Sequence, residues 1–146
     1  MSEGTASRRG AETQSAQRKE INVITAAAID CAVKIHADLG PELMESVYEA
    51  ILHKKLEDQG LRVARQVAIP VTYEGLSFQE AFRADLIVED KVILELKSID
   101  QISKAHRKQL LTYLKLSGLQ VGLLLNFGAQ LMRDGIARVV CDFQEK

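Results

Sequence analysis

From residue 21 the apolar positions Ile21, Ile24, Ala28, Cys31, Ala32 and Ile35 recur at helical spacing, the signature of one buried helix face. They predict a helix over 20–39 that ends at Gly40-Pro41, because proline cannot continue the hydrogen-bonded ladder. A second helix over 42–59 carries Leu43, Val47, Tyr48, Ile51, Leu52 and Leu56 on one face. Glu45 and Glu49 flank that stripe, and Gly60 is placed as its C-terminal cap. The period then falls to two. Residues 61–73 alternate as a strand whose Pro70 requires an edge position or a bulge. Residues 82–88 and 92–97 form two further strands around the polar turn 89–91, with a less defined start at 76–81. Ser103 is the N-cap of a helix reaching Leu116. The continuous apolar run 120–127 reads as a strand buried on both faces. A last strand, 136–143, follows the turn Arg133-Asp134-Gly135. Residues 1–18, polar and rich in Ser, Thr, Gly, Gln and Arg, read as a flexible N-terminal tail ahead of a single domain over 19–146. This order of elements predicts an α/β domain with a central mixed sheet flanked by helices.

The central hairpin places the chemistry. A three-residue loop pairs Val88 with Val92, Leu86 with Leu94 and Ala84 with Leu96, so that Phe82, Ala84, Leu86 and Val88 share the core side with Val92, Leu94 and Leu96. The same register sets Asp85 opposite Glu95, with Cβ atoms roughly 4.5–5.5 Å apart, close enough for both carboxylates to reach one cation. Lys97 falls on the same face. A two-residue loop would instead send the two acids to opposite sides of the sheet. Ile87 and Ile93 also lie on the acidic face and imply that it is partly covered. Carboxylates in such a place lose hydration and repel each other. A divalent cation would neutralise them; Arg83 and Lys97, forming an ionic cluster without metal, are the competing candidates. Taken alone, Glu-x-Lys in a strand is a weak signal.

Composition narrows the class only moderately. The chain has 146 residues, 47% of them hydrophobic, and a formal charge of −1, as expected of one soluble domain able to bury a core. Overall charge gives no pull toward nucleic acid, so such binding needs a local basic patch or a partner. Lys104, Arg107, Lys108 and Lys115 offer a patch, although a solvated helix face explains them as well. Cys31 and Cys141 sit in apolar runs and read as small core residues. The polar N-terminus and the lack of a long apolar span predict a cytoplasmic chain with no membrane partner.

The order Glu45, Asp85, Glu95-Leu96-Lys97 and Gln109-Leu110-Leu111-Thr112-Tyr113 resembles the PD-(D/E)XK nuclease superfamily, in particular branches with a Gln-x-x-x-Tyr helix such as RecB-type nucleases. Closer still is the resemblance to the small bacterial family of GxxExxY proteins. It runs from about Ile21 to Val140 through Leu39-Gly40-Pro41, Glu45-Ser46-Val47-Tyr48-Glu49, Gln66, Phe82-Arg83-Ala84-Asp85-Leu86 and Asn126-Phe127-Gly128. The glycine that names that family falls at position 42, where this chain has Glu42. The resemblance implies a restriction-endonuclease-like core and a Mg²⁺- or Mn²⁺-dependent nuclease acting on DNA or RNA. It implies Asp85 and Glu95 as metal ligands, with the Leu96 carbonyl and Glu45 completing the set, and Lys97 as the group that orients or activates the attacking water. Gln109 and Tyr113, one helical turn apart, would hold substrate or the metal shell, although a Gln and a Tyr completing polar contacts in the core would look the same. Arg83 and Gln66 are secondary site candidates. A homodimer or larger complex is compatible with the sequence. So is a catalytically silent nuclease-fold module that binds nucleic acid or a protein partner.

Overall fold

The two helix periodicities and the strand alternation converge on one sheet covered on both faces. The computed structural model describes residues 2–142, with side chains from residue 10 onward. In chain order the helices and strands are α1 (Ser2–Leu39), α2 (Glu45–Asp58), β1 (Val63–Tyr73), β2 (Leu76–Val88), β3 (Val92–Lys97), α3 (Lys104–Ser117), β4 (Val121–Asn126) and β5 (Ile136–Val140). The strands lie in the order β1-β2-β3-β4-β5. All neighbours are antiparallel except β3 and β4, whose parallel pairing requires a crossover, supplied by α3. On one face α1 and α2 pack Ile24, Ile35, Tyr48 and Leu52 against Leu86, Leu94, Leu123 and Leu125. On the other face Leu110 and Leu114 of α3 pack against Ile87, Ile93 and Leu124. Strands β3 and β4 feed both clusters by alternation and are buried almost throughout. Among the described residues no helix is long and apolar enough to cross a membrane.

Three expectations need correction. Helix α1 begins at Ser2 rather than near residue 20. Its described side chains 10–20 are all exposed, so this stretch is a solvated extension that leaves no trace in the apolar periodicity, which reports burial alone. Residue 1 of the expected tail and Phe143 of the expected last strand lie outside the described residues, and β5 stops at Val140. The hairpin register holds for Leu86↔Leu94, Ile87↔Ile93 and Val88↔Val92 but not for Asp85 with Glu95 or Ala84 with Leu96, because the ladder ends at Leu86. Beyond that break Phe82 and Ala84 join the α3-side cluster instead of sharing a cluster with Leu86. Pro70 satisfies both of its alternatives: β1 is an edge strand, and its register shifts between Ile69 and Val71.

The junction between α1 and α2 explains the departure at position 42. Tyr48 is fully buried, its ring stacked on Phe127 with centroids 4.2 Å apart. Its hydroxyl donates to the Gly40 carbonyl at 2.6 Å and accepts the Leu43 N–H at 3.1 Å. The loop so pinned holds Glu42 at φ 81°, a conformation that glycine adopts freely and that is costly for an L side chain. Glu42→Gly should therefore raise stability by up to about 1 kcal/mol in thermal or urea unfolding. An unchanged or lowered midpoint would show that the strain is relieved elsewhere.

Candidate active site

Where the β2–β3 ladder ends, side chains replace its missing bonds. The Leu96 N–H donates to Asp85 Oδ2 at 2.9 Å, and the Asp85 N–H donates to Glu95 Oε1 at 3.1 Å. Each acid is thus held by the backbone of the strand that carries the other or its neighbour, and the two carboxylates meet in the split between the strands. Ile87 and Ile93 are buried beside them, and the Tyr113 ring covers the region by stacking on Phe82 at 3.8 Å. The expected cover is therefore present, and α3 provides it.

The electrostatic result follows from burial without a close ion-pair partner. The Glu95 carboxyl is pushed up to about 8, first by burial and then by the Asp85 charge, with the Asp85 N–H and the Lys97 ammonium opposing the rise. The Tyr113 phenol is also raised, by burial and then by the charges of Glu95 and Asp85. Among the described residues neither Asp85 nor Glu95 has an ion-pair partner within 4.0 Å. Arg83, a candidate to neutralise Asp85, pairs with Glu80 at 2.6 Å instead. Lys97 is half-buried at the end of β3 and acts on Glu95 only through space.

The remaining sequence candidates spread around this pair. Glu45 Oε1 accepts the Ser98 N–H at 3.3 Å, which puts its carboxylate at the residue after Lys97. Among the described residues no three Asp, Glu, His or Cys side chains converge as a ready metal cage. Gln109 is exposed on α3, one turn before Tyr113. Gln66 lies at φ 49° and reaches both Glu49 Oε1 at 2.6 Å and Asp85 Oδ1 at 3.4 Å through its Nε2.

Glu49 is the residue whose importance sequence reasoning missed. It is 6% exposed, receives Arg65 Nη2 at 3.0 Å and through Gln66 is joined to Asp85. A signal existed: it directly follows Tyr48, a fully buried residue of the α2 stripe, so its carboxylate stands at the margin of the buried face and needs a partner.

The model of the PD-(D/E)XK nuclease superfamily matches residues 22–139. Three solved chains match in fold. One is the crystal structure of SSO0001, with a TM-score of 0.49 and 19% identity over 68% of this chain and 52% of that one. The chain thus spans about half the length of that structure. No curated protein matches the sequence.

Burial of Glu95 makes stability depend on pH with a definite sign. Its folded value of about 8 exceeds the unfolded value near ~4.3, so the folded state holds the extra proton between them. Stability is then highest below the unfolded value and falls as pH rises toward about 8. In chelator, the Glu95→Gln variant should lose this fall and exceed the wild type in melting temperature at alkaline pH. Parallel pH profiles for the two proteins would contradict a buried, protonated Glu95.

Proposed function

The chain belongs to the PD-(D/E)XK nuclease superfamily, and from that premise we propose that it is a nuclease hydrolysing phosphodiester bonds in DNA or RNA with Mg²⁺ or Mn²⁺. The observation that carries this reading is the pair Asp85 and Glu95, brought together by side-chain-to-backbone bonds in one split of the sheet and without an ion-pair partner among the described residues. Each carboxylate has acceptor capacity beyond its one close backbone bond, and hard oxygen donors suit these ions. Asp85 and Glu95 would hold the cation, with the Leu96 carbonyl next to them and Glu45 as the acidic candidate from α2. A divalent cation there would lower the pKa of a bound water and offset charge on the phosphate.

The chain's own groups supply the rest. Lys97 extends its ammonium on the Glu95 side, where it orients the attacking water and adds positive charge opposite the phosphoryl oxygens. Tyr113 and Gln109 present a phenol and an amide from α3 toward the substrate. Gln66, backed by Glu49 and Arg65, fixes the outer oxygen of Asp85. Arg83, tied to Glu80, shapes β2 beside the site.

Mg²⁺ or Mn²⁺ should raise the melting temperature, and Asp85→Ala combined with Glu95→Ala should abolish the rise. An equal rise in the double variant would place the cation elsewhere. For turnover, Lys97→Ala should reduce cleavage by about 10²-fold or more with an unchanged circular dichroism spectrum. Nucleic-acid binding without products in either metal would favour the silent binding module instead.

A further inference from the structure

The β1–β2 hairpin outruns the sheet that carries it. Strand β3 pairs only with residues 86–88 of β2, whereas β1 and β2 stay paired to the Tyr73↔Leu76 tip. The cross-strand pairs Val71↔Phe78 and Tyr73↔Leu76 set four apolar side chains on one face of this two-stranded ribbon. Three of them are strongly exposed: Tyr73 at 68%, Leu76 at 63% and Phe78 at 53%. The opposite face is polar, with Thr72 Oγ1 and Ser77 Oγ 3.1 Å apart. The other described aromatic rings are engaged, Tyr48 on Phe127 and Phe82 on Tyr113. Among the described residues Tyr73 and Phe78 are left without an aromatic partner. Following β2 inward from Phe78, the next aromatic residue is Phe82, under Tyr113, and then comes Asp85.

Size and charge decide what covers this face. At their observed exposure these side chains present roughly 300–400 Å², well under the ~800 Å² per partner of a stable protein interface. A second copy packed ribbon to ribbon is therefore too small an interface. Duplex DNA or RNA would need positive charge for its phosphates, but residues 71–83 hold Glu74, Glu80 and Arg83, and the last two are paired with each other. Exposed positive charge is gathered on α3, where Lys104, Arg107, Lys108 and Lys115, none in an ion pair with a described residue, lie on a helix with no acidic residue. An aromatic, uncharged strip with cations on a neighbouring element fits a strand whose bases are unstacked, because every base offers a face to a ring regardless of sequence.

We propose, resting on the nuclease reading above, that the Tyr73, Leu76 and Phe78 face is a platform on which bases of single-stranded DNA or RNA stack, leading the strand past Phe82 and Tyr113 to the Asp85–Glu95 pair. The substrate class is thereby single-stranded or frayed nucleic acid rather than intact duplex.

Fluorescence anisotropy in EDTA, which prevents turnover, tests this with labelled oligo-dT and oligo-U of about 16 nucleotides and a duplex of equal length. The wild type should bind at least one of the single strands about 10-fold or more tighter than the duplex. Replacing Tyr73, Leu76 and Phe78 together by Ser should remove most of that preference while the metal-induced rise in melting temperature persists. Unchanged single-strand affinity in the triple variant, tighter duplex binding by the wild type, or no binding to any probe overturns the platform. A change from dimer to monomer with unchanged single-strand affinity overturns it too, in favour of self-association. Should the triple variant not fold, Tyr73→Trp gives the chain, which has no native tryptophan, a single reporter. Stacking predicts its quenching by the bound strand, and binding without quenching overturns the proposal. The two readings fail separately. Ribbon-dependent binding without cleavage in any metal leaves the platform standing and removes the nuclease, whereas cleavage with a dispensable ribbon does the reverse.

Discussion

The reciprocal bonds at the end of the β2–β3 ladder are the constraint on which the site depends. A regular sheet would satisfy the N–H groups of Asp85 and Leu96 with backbone carbonyls of neighbouring strands. Here the carboxylates of Glu95 and Asp85 take them instead, so two acids are drawn into the plane of the sheet and toward each other. Bringing like charges together under cover opposes folding, and the upward shift of Glu95 is the electrostatic expression of that opposition. Strongly shifted titratable groups of this kind cluster at functional sites.

The surroundings make this arrangement hold. Asn126, fully buried at the end of β4, accepts the N–H groups of Ile99 and Gly128 on its Oδ1, both at 3.0 Å. The backbone of Ile99 passes so close to Gly128 that a Cβ there would collide with the Ile99 carbonyl. The chain leaving Lys97 is thus clamped from the neighbouring strand. From the other side, Tyr48 locks the loop before α2, and Ser98 bonds both Glu45 and the Leu43 carbonyl. The end of β3 is gripped by α2 and β4 together, which fixes where the Lys97 side chain begins.

Much of this was legible in the sequence because it rests on local rules. Alternation and a three-residue turn were enough to place Val88 and Leu86 against Val92 and Leu94, and Ser103 announced α3 as its N-cap, accepting the His106 N–H. What was not legible depended on contacts distant in the chain. The switch of Phe82 and Ala84 to the α3 side arises where the ladder breaks, and strict alternation cannot signal a break. The burial of Glu49 needs Arg65 and Gln66 from another element. The solvated stretch 10–20 of α1 has no apolar pattern to betray it. Glu42 was visible as a departure from the glycine of the GxxExxY resemblance, but only the φ of 81° shows its physical meaning.

The central claim is that Asp85 and Glu95 jointly receive one cation. Anomalous diffraction from crystals soaked in Mn²⁺ tests it most directly. A single peak within about 2.0–2.6 Å of a carboxylate oxygen from each residue is the predicted result. A peak bound by only one of them, or located away from the β2–β3 split while both side chains keep their backbone bonds, would contradict it.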